Sequence, residues 1–473
     1  MRTACLALAL AALATAADFH TGQAARAVIG QSSFSSRETG VSAYAFSLAK
    51  GRLYAAESTR LLTFDITKQC ALCGFAPIAI TNQSVIAGIS GFAVSGKVVV
   101  VADSVNHRVL VYSTTPSTNA VGQKHPEVAI AVSEPVSVAY DGHRLFVGDA
   151  SQHRVLIWNA LPNANDQPAD AVLGQNDGAL GAATIGMPSA LASDGTNLFV
   201  ADTENRRILV FSPGDIGLAE DAIINSASLL STPLAPGTLI TIRAPSLVQE
   251  DDTADPAPNM PLPTKLAGVE VFLNGAPLPL LSATSEQIDA QLPYDLGSAM
   301  AGSLYVRSVR DNGSVLVSTA AAVRFAPASP GIFAVGTSEP RSGLLLHISG
   351  DQDLEGGPTK GIPITSESPA SPGEVVTVWA TGLGAVGAGD AHSVVAGAPS
   401  ELLDSDTVVP IKALINGEPA AVLLARLPRG AIGVYDVAVV LPAQLQVGDE
   451  VRLQLVQNNV VSNIVTFPVK APQ

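Results

Sequence analysis

The chain has 473 residues, 41 acidic side chains against 26 basic ones and a formal net charge of −15. That balance argues against a nucleic-acid partner, because phosphate contacts need clustered Lys and Arg. With 14 % charged residues, 41 Gly, 32 Pro and apolar runs broken by turns, the composition predicts an all-β protein of roughly three domains.

The first element is MRTACLALALAALATAADFH. One Arg precedes about a dozen apolar residues, and small residues come next at Ala14–Ala17. Residues 1–17 therefore read as a secretory signal peptide, cleaved near Ala16 or Ala17, and the run is too short to span a bilayer. Cys5 lies far from the cleavage region, so no lipoprotein site is assigned. No later stretch is long enough and free enough of charge, Gly and Pro to cross a membrane. The mature chain is expected to be secreted or held at the cell surface, with no membrane span.

Residues 18–212 are organised by one recurring stretch. LFVADTENRRILVF (Leu198–Phe211) returns as VVVADSVNHRVLVY near Val98–Tyr112 and as LFVGDASQHRVLIW (Leu145–Trp158), with a degraded copy, LYAAESTRLLTF, at Leu53–Phe64. Each copy is two β-branched or aromatic strands around a polar turn. The turn carries Asp103, Asn106 and Arg108 in one copy, Asp149, Gln152 and Arg154 in the next, and Asp202, Asn205 and Arg207 in the last. The Asp is expected to cap turn amides, the amide residue to take left-handed geometry, and the Arg to reach back to the Asp. These nine residues read first as structural. The acidic position recurs at Glu57, Asp103, Asp149 and Asp202, and a small apolar strand precedes each hairpin (YAFSLA, GFAVSG, PVSVAY, PSALAS). A period in the forties with about four strands per unit predicts propeller blades.

The core of LFVADTENRRILVF resembles the NHL repeat, which implies a β-propeller. Three copies fit; the first has a shortened turn and Glu57 for Asp. AVIGQ (Ala27–Gln31) and AVLGQ (Ala171–Gln175) precede their hairpins at matching distances and predict equivalent outer strands. The last repeat has no outer strand of its own, so AVIGQ is expected to supply one and close a small ring of about four blades. NHL propellers commonly have six blades; an open arc or a ring completed by a second chain is the alternative.

Cys70 and Cys73 form a CxxC pair outside any thioredoxin-like context and far from a second Cys or His pair. A redox motif, half a zinc site and a local disulfide are all open; an oxidising compartment favours the disulfide. Residues 213–222 read as a linker.

The second half is duplicated. Pro236-Gly237 and Pro372-Gly373 open matching strands, Asn274-Gly275 and Asn416-Gly417 predict two-residue hairpin turns, and AQLPY parallels VVLPA. Two Ig-like β-sandwiches are expected, at 223–335 and 366–473, with 336–365 as a linker. The strings GVEVFLNGAPLPLLSATSEQIDAQLPYDL, FAPASPGIFAV and GEVVTVWATGLGAV resemble the Solibacter-type uncharacterised C-terminal domain. That family sits at the ends of secreted bacterial proteins, so the resemblance implies architecture and location, with no activity attached.

Chemistry is harder to find. Gly382 and Gly384 belong to a GxGxxG string, but the residues after it are broken by Gly and Pro rather than helical, so a dinucleotide site is not expected. Glu134 is the one acid beside an expected innermost strand, too few for a metal. His107 and His153 share a turn position, Arg206 replaces them in the last repeat, and all three are expected to face solvent. Glu250, Asp251, Asp252 and Asp255 form an acidic loop without the ligand spacing of a calcium site. The leading expectation is a non-catalytic exported binding or scaffold protein without a cofactor. Its propeller would engage an extracellular protein or glycan, and its sandwiches would serve as spacer or attachment. The alternatives are an extracellular propeller hydrolase or lyase with a channel site, and a purely structural adhesin or envelope component.

Overall fold

The structure is a computed structural model. It describes residues 19–29, 33–35, 45–49, 52–56, 61–65, 78–80, 90–95, 98–112, 127–174, 180–231, 233–248, 260–336, 338–348, 361–387, 394–401 and 406–471. The expected signal peptide, Glu57, Cys70, Cys73 and the acidic loop at Glu250–Asp255 lie outside the described residues. Among the described residues the helical elements are three short 3₁₀ turns, and everything else regular is β-strand. No helix among them is long and apolar enough to cross a membrane.

Among the described residues a short strand, β1 (Ala27–Ile29), comes first. Four four-stranded antiparallel sheets make up the N-terminal half. The first holds β2 (Ala45–Ala49), β3 (Arg52–Ala56), β4 (Leu61–Asp65) and β5 (Ile78–Ile80). The second holds β6 (Gly91–Ser95), β7 (Val98–Asp103), β8 (Arg108–Tyr112) and β9 (Val128–Ala131). The third holds β10 (Pro135–Tyr140), β11 (Leu145–Asp149), β12 (Arg154–Trp158) and β13 (Ala171–Leu173). The fourth holds β14 (Pro188–Ser193), β15 (Leu198–Asp202) and β16 (Arg207–Phe211), and takes β1 as its outer strand. Ala27 lies opposite Val210 and Ile29 opposite Ile208, the pairing expected of AVIGQ, while Ala171–Leu173 holds the same place on β12.

Small residues set how these sheets meet. Strand β6 packs on β10, β10 on β14, and β14 on β2. A Cβ at Gly91 would lie 2.9 Å from the Cα of Ser137, and one at Gly148 would lie 2.6 Å from the Pro188 carbonyl. Hydroxyls fill what remains: Ser90 donates to the Pro135 carbonyl at 2.7 Å and Ser137 to that of Pro188 at 2.5 Å. Strands β11 and β15 are buried at every residue, as both faces of a stacked sheet must be.

Strands β17 (Ile223–Asn225), β18 (Leu239–Ile242), β21 (Leu280–Ala283) and β22 (Ile288–Gln291) form one sheet of the next unit. It faces a sheet of β19 (Val269–Leu273), β20 (Ala276–Pro277), β23 (Ala301–Val309), β24 (Val315–Val317) and β25 (Ala321–Arg324). Both contribute to one core, Ile240, Ile288 and Leu280 meeting Val271, Leu304 and Val323.

The last unit repeats this arrangement. One sheet contains β26 (Gly331–Ile332), β29 (Leu345–Ile348), β30 (Gly361–Pro363), β31 (Val375–Thr381), β32 (Val386–Gly387), β33 (Asp406–Thr407), β36 (Val422–Arg426) and β37 (Tyr435–Val440). The other contains β27 (Ala334–Val335), β28 (Arg341–Gly343), β34 (Ile411–Ile415), β35 (Glu418–Ala420), β38 (Gly448–Gln457), β39 (Val460–Val461) and β40 (Val465–Val469). Val376, Val378 and Val437 face Ala413, Leu453 and Phe467 across the second core.

The duplication extends to individual hydrogen bonds. Asn274 donates its amide to the Ser303 carbonyl at 2.8 Å and accepts the Ser303 amide on Oδ1 at 2.9 Å. Asn416 does the same with Arg452, at 2.9 Å both ways. Ser318 Oγ accepts from the Val306 amide and donates to Thr319, as Ser462 Oγ does with Leu455 and Asn463. Both Asn-Gly turns have positive φ at both residues, as the paired dipeptides predict.

Described residues of both expected linkers pair with neighbouring strands. In 213–222, Ile216 bridges Ser318 in parallel, and Asp215 exchanges bonds with Val317 at 2.7 and 2.8 Å. In 336–365, β28 pairs β40 and β29 pairs β31, and with β26 already on β31 the last unit begins near Gly331. Alternation in these stretches is short and broken by Gly and Pro, which is why they read as connections.

Candidate functional site

The recurring polar turn is the feature the N-terminal sequence repeats, and the structure brings its members together at one end of each hairpin. Asp103 faces Arg108, Asp149 faces Arg154 and Asp202 faces Arg207 as the closing cross-strand pairs. In each pair the Arg Nε donates to the Asp, at 2.9, 3.1 and 2.9 Å respectively. Asn106 and Asn205 donate their side-chain amides to the same carboxylates, at 2.9 and 2.8 Å. Gln152 departs from this; it is exposed, and Ser151 Oγ reaches Asp149 at 3.3 Å instead.

Two details differ from the expectation. For Asp149 and Asp202 the caps fall outside the turn's own amides: Asp149 Oδ1 accepts from the Glu134 amide at 3.0 Å, and Asp202 Oδ1 from Gly186 and Met187 at 2.9 and 3.3 Å. These two carboxylates thus tie their hairpins to the segments entering their own inner strands. The left-handed residue is the one after the amide: His107, His153 and Arg206, with φ of 52, 52 and 56°. Asn106 and Asn205 spend their side chains on the carboxylate instead.

The left-handed position has a further use. His107 Nδ1 donates to the Ser133 carbonyl, and His153 Nδ1 to that of Gly186, each just before the next sheet's inner strand. The histidines are exposed, or nearly so, as expected, yet each staples its own sheet to the next. His153 also lies 3.9 Å from Glu204. For Asp103, partial burial raises the pKa, but bonds from Asn106 and Arg108 outweigh it and hold the carboxyl below its usual range.

A second set of turns, with no motif in the repeat to announce it, lies at the opposite ends of these strands. Asp141 accepts the amides of His143 and Arg144 at 2.9 and 2.7 Å and pairs with Arg144 Nε at 2.9 Å. Asp194 caps Thr196 and Asn197 in the same way. Arg144, almost fully buried over Phe19 and Phe146, reaches the Gly195 carbonyl of the neighbouring sheet at 2.6 Å. The signal available was the Asp-Gly dipeptide in both AYDGHRLFV and ASDGTNLFV.

The other candidates resolve into structure. Gly382 and Gly384, with φ of 76 and 79°, pass so close to the neighbouring chain that a Cβ would lie 2.1 Å from the Ser329 and Pro327 carbonyls. Strands flank this loop and no helix begins there. Glu134 is exposed and engaged through its backbone. Among the described residues no three His, Cys, Asp or Glu gather as a metal site would require.

One constellation had no motif behind it. His347 Nδ1 lies 2.5 Å from Glu374 Oε1, and its Nε2 lies 3.1 Å from Ser368 Oγ and 3.0 Å from the Ser368 carbonyl. The connectivity is that of a serine, histidine and carboxylate chain. The Ser368 amide, however, is turned back onto Thr365 and Glu374 also holds the Ser371 amide, so the group fastens two turns to β29.

No protein-family model matches the chain and no curated protein sequence matches it. Among solved structures it shows slight likeness to a glutaminyl cyclase of Myxococcus xanthus, at 12 % identity over 35 % of this chain and 70 % of that one, with a TM-score of 0.19. Another is SGBP-B of a Bacteroides ovatus mixed-linkage glucan utilization locus, in complex with a heptasaccharide, at 13 % identity over 50 % of this chain and 44 % of that one, with a TM-score of 0.13. The fibronectin(III)-like modules of Clostridium thermocellum CbhA match at 13 % identity over 55 % of this chain and 90 % of that one, with a TM-score of 0.14. Likeness this slight carries neither fold nor function to this chain.

Proposed function

We propose that the chain is an exported, non-catalytic binding or scaffold protein. Its four N-terminal sheets are the blades of a small NHL-type propeller, and its two C-terminal units are Ig-like sandwiches serving as spacer or attachment. The observation that carries this reading is how the repeated polar residues are used. The Asp202 carboxylate accepts bonds from Gly186, Met187, Asn205 and Arg207, all within its own fold. The repeated residues are scaffold, and the residues that vary between repeats, Val105, Ser151 and Glu204, are exposed beside them. Rigid turns that present variable exposed residues are where binding sites are commonly carried. The partner class is an extracellular protein or glycan.

The test uses the mature chain in two parallel arms. Immobilised polysaccharides and purified surface proteins are screened for saturable binding, and the same preparation is assayed for ester and lactone hydrolysis with added calcium or zinc and for labelling by a fluorophosphonate. Binding lost on changing Val105, Ser151 and Glu204 together to Arg is the expected outcome. Metal-dependent turnover, or fluorophosphonate labelling abolished by Ser368→Ala, would overturn the non-catalytic reading. Export is tested separately, by fractionating cells that express the full chain.

A further inference from the structure

We propose that residues 19–29 and 33–35 belong to a separable clasp, and that the groove holding it is a strand-accepting site which binds this same sequence when it is supplied as a free peptide. The segment touches three parts of the molecule in turn. The Gly22 amide donates to Val172 of the third sheet at 3.1 Å, and Gln23 Nε2 to Ser212 at 2.9 Å. The Ala24 amide donates to Ala320 of the first C-terminal unit at 2.5 Å, and Ala25 to Ala182 at 2.9 Å. The Arg26 amide then donates to Val210 at 2.6 Å, and β1 continues along β16. Further on, Arg207 donates to the Phe34 carbonyl and the Met300 amide donates to Ser35 Oγ at 2.7 Å.

Side chains take the same path. Phe19, Ala24, Ala25, Val28 and Phe34 belong to one buried cluster that also takes in Leu198, Leu209, Ala301 and Ala320. Two separate parts of the chain therefore share a core through this segment. Arg26 lies over the Tyr305 ring at 4.3 Å and donates to the Ser318 carbonyl at 3.3 Å. The stretch Ser318–Ala320 is gripped on two sides, by Ile216 in parallel and by Ala24 in antiparallel pairing.

The groove selects by size and by backbone. Ala24 and Ala25 are fully buried, so it admits small residues there. Along β16 its main-chain donors and acceptors are met by extended Ala27–Ile29 in one register, the way a strand is added to a sheet edge, while upstream the chain turns so that the Gln23 amide meets the His20 carbonyl. The occupant is this chain's own N-terminal segment, and the contacts its described residues make in the groove are hydrogen bonds and apolar packing, which a separate peptide of the same sequence can make.

A protease recognition sequence inserted between Ser35 and Ala45 allows the folded full chain to be nicked. The N-terminal fragment is expected to co-elute with the remainder on gel filtration and to leave only in mild denaturant. A fluorescein-labelled peptide of residues 18–35 should then bind the stripped remainder one to one and raise its Tm, and the A24D/A25D peptide should not. If stripping unfolds the remainder, restoration of its circular dichroism by the peptide supports the proposal equally. Release of the fragment with an unchanged Tm, failure of the peptide to bind or restore, or equal binding of the A24D/A25D peptide would each overturn it.

Discussion

Arg207 and Asp202 meet at 2.9 Å with both side chains fully buried, whereas Arg108 and Asp103, in the same turn two repeats earlier, meet at 2.9 Å in contact with solvent. The geometry is constant and the surroundings are not. Asp202→Ala strands a buried guanidinium whose other donors already hold Thr184 and Phe34, and should cost roughly 3–5 kcal/mol. Asp103→Ala should cost about 0.2–1 kcal/mol, since an exposed pair gains little in high dielectric. Urea unfolding of the two variants measures both; equal losses would mean that burial does not set the worth of the turn.

The same contrast between local geometry and distant surroundings decides how much of the structure was legible in the sequence. The turn skeleton, the place of AVIGQ on β16 and the matched Asn-Gly hairpins were legible because each depends on local chemistry with a fixed spacing. The left-handed position expected of the amide residue belongs instead to His107, His153 and Arg206, because the carboxylate captures the amide first. What no local pattern carries is which strand a connection joins. Ile216 beside Ser318 and β28 beside β40 are non-local pairings in short, Pro-broken stretches. The His347, Glu374 and Ser368 group is likewise assembled from a strand paired on both sides and two turns, with no spacing to announce it.

The GxGxxG string makes a prediction that separates its two readings. At Gly384 an added Cβ would meet the Pro327 carbonyl at 2.1 Å, in a backbone region that L side chains rarely adopt. Gly384→Ala should therefore lower Tm by several degrees, consistent with strain of about 1–3 kcal/mol. Titration of the unaltered protein with a reduced nicotinamide dinucleotide, followed by its fluorescence, should show no saturable change. A saturable signal lost in the variant would instead assign the loop to nucleotide binding.

The duplicated hairpins should respond alike. Asn274 and Asn416 have φ of 51 and 50°, and each also holds the partner strand through its side chain. Substitution by Ala combines a left-handed cost of about 1–2 kcal/mol with a lost hydrogen bond. Gly removes only the bond. Asn274→Ala and Asn416→Ala should therefore each destabilise more than the matching Gly variants, by similar amounts at the two sites. A large effect at one site and none at the other would show that the repeated geometry is not equally loaded.

The two C-terminal units meet around a pair of tyrosines, and this contact should set an alkaline limit on stability. Burial pushes the Tyr294 phenol up to about 12, against the lowering influence of Tyr435, Gln291 and the Gly433 backbone. Burial also raises Tyr435 well above the ordinary tyrosine value, with Tyr294 adding to the effect. Tyr435 donates to the Gly384 carbonyl at 2.6 Å, a bond that needs its phenolic proton, and burial keeps Tyr294 neutral although Gln291 donates to its hydroxyl at 3.2 Å. A raised folded pKa means that the folded chain binds more protons than the unfolded one between the two values. For Tyr294 the stabilisation is whole below pH 10, the unperturbed value, and is lost as pH climbs towards 12. The tyrosinate absorbance of Tyr294 and Tyr435 should therefore appear together with unfolding. Tyr294→Phe should flatten the fall in stability above pH 10, because it removes the group that must ionise. A fall as steep as in the unaltered chain would place the alkaline limit elsewhere.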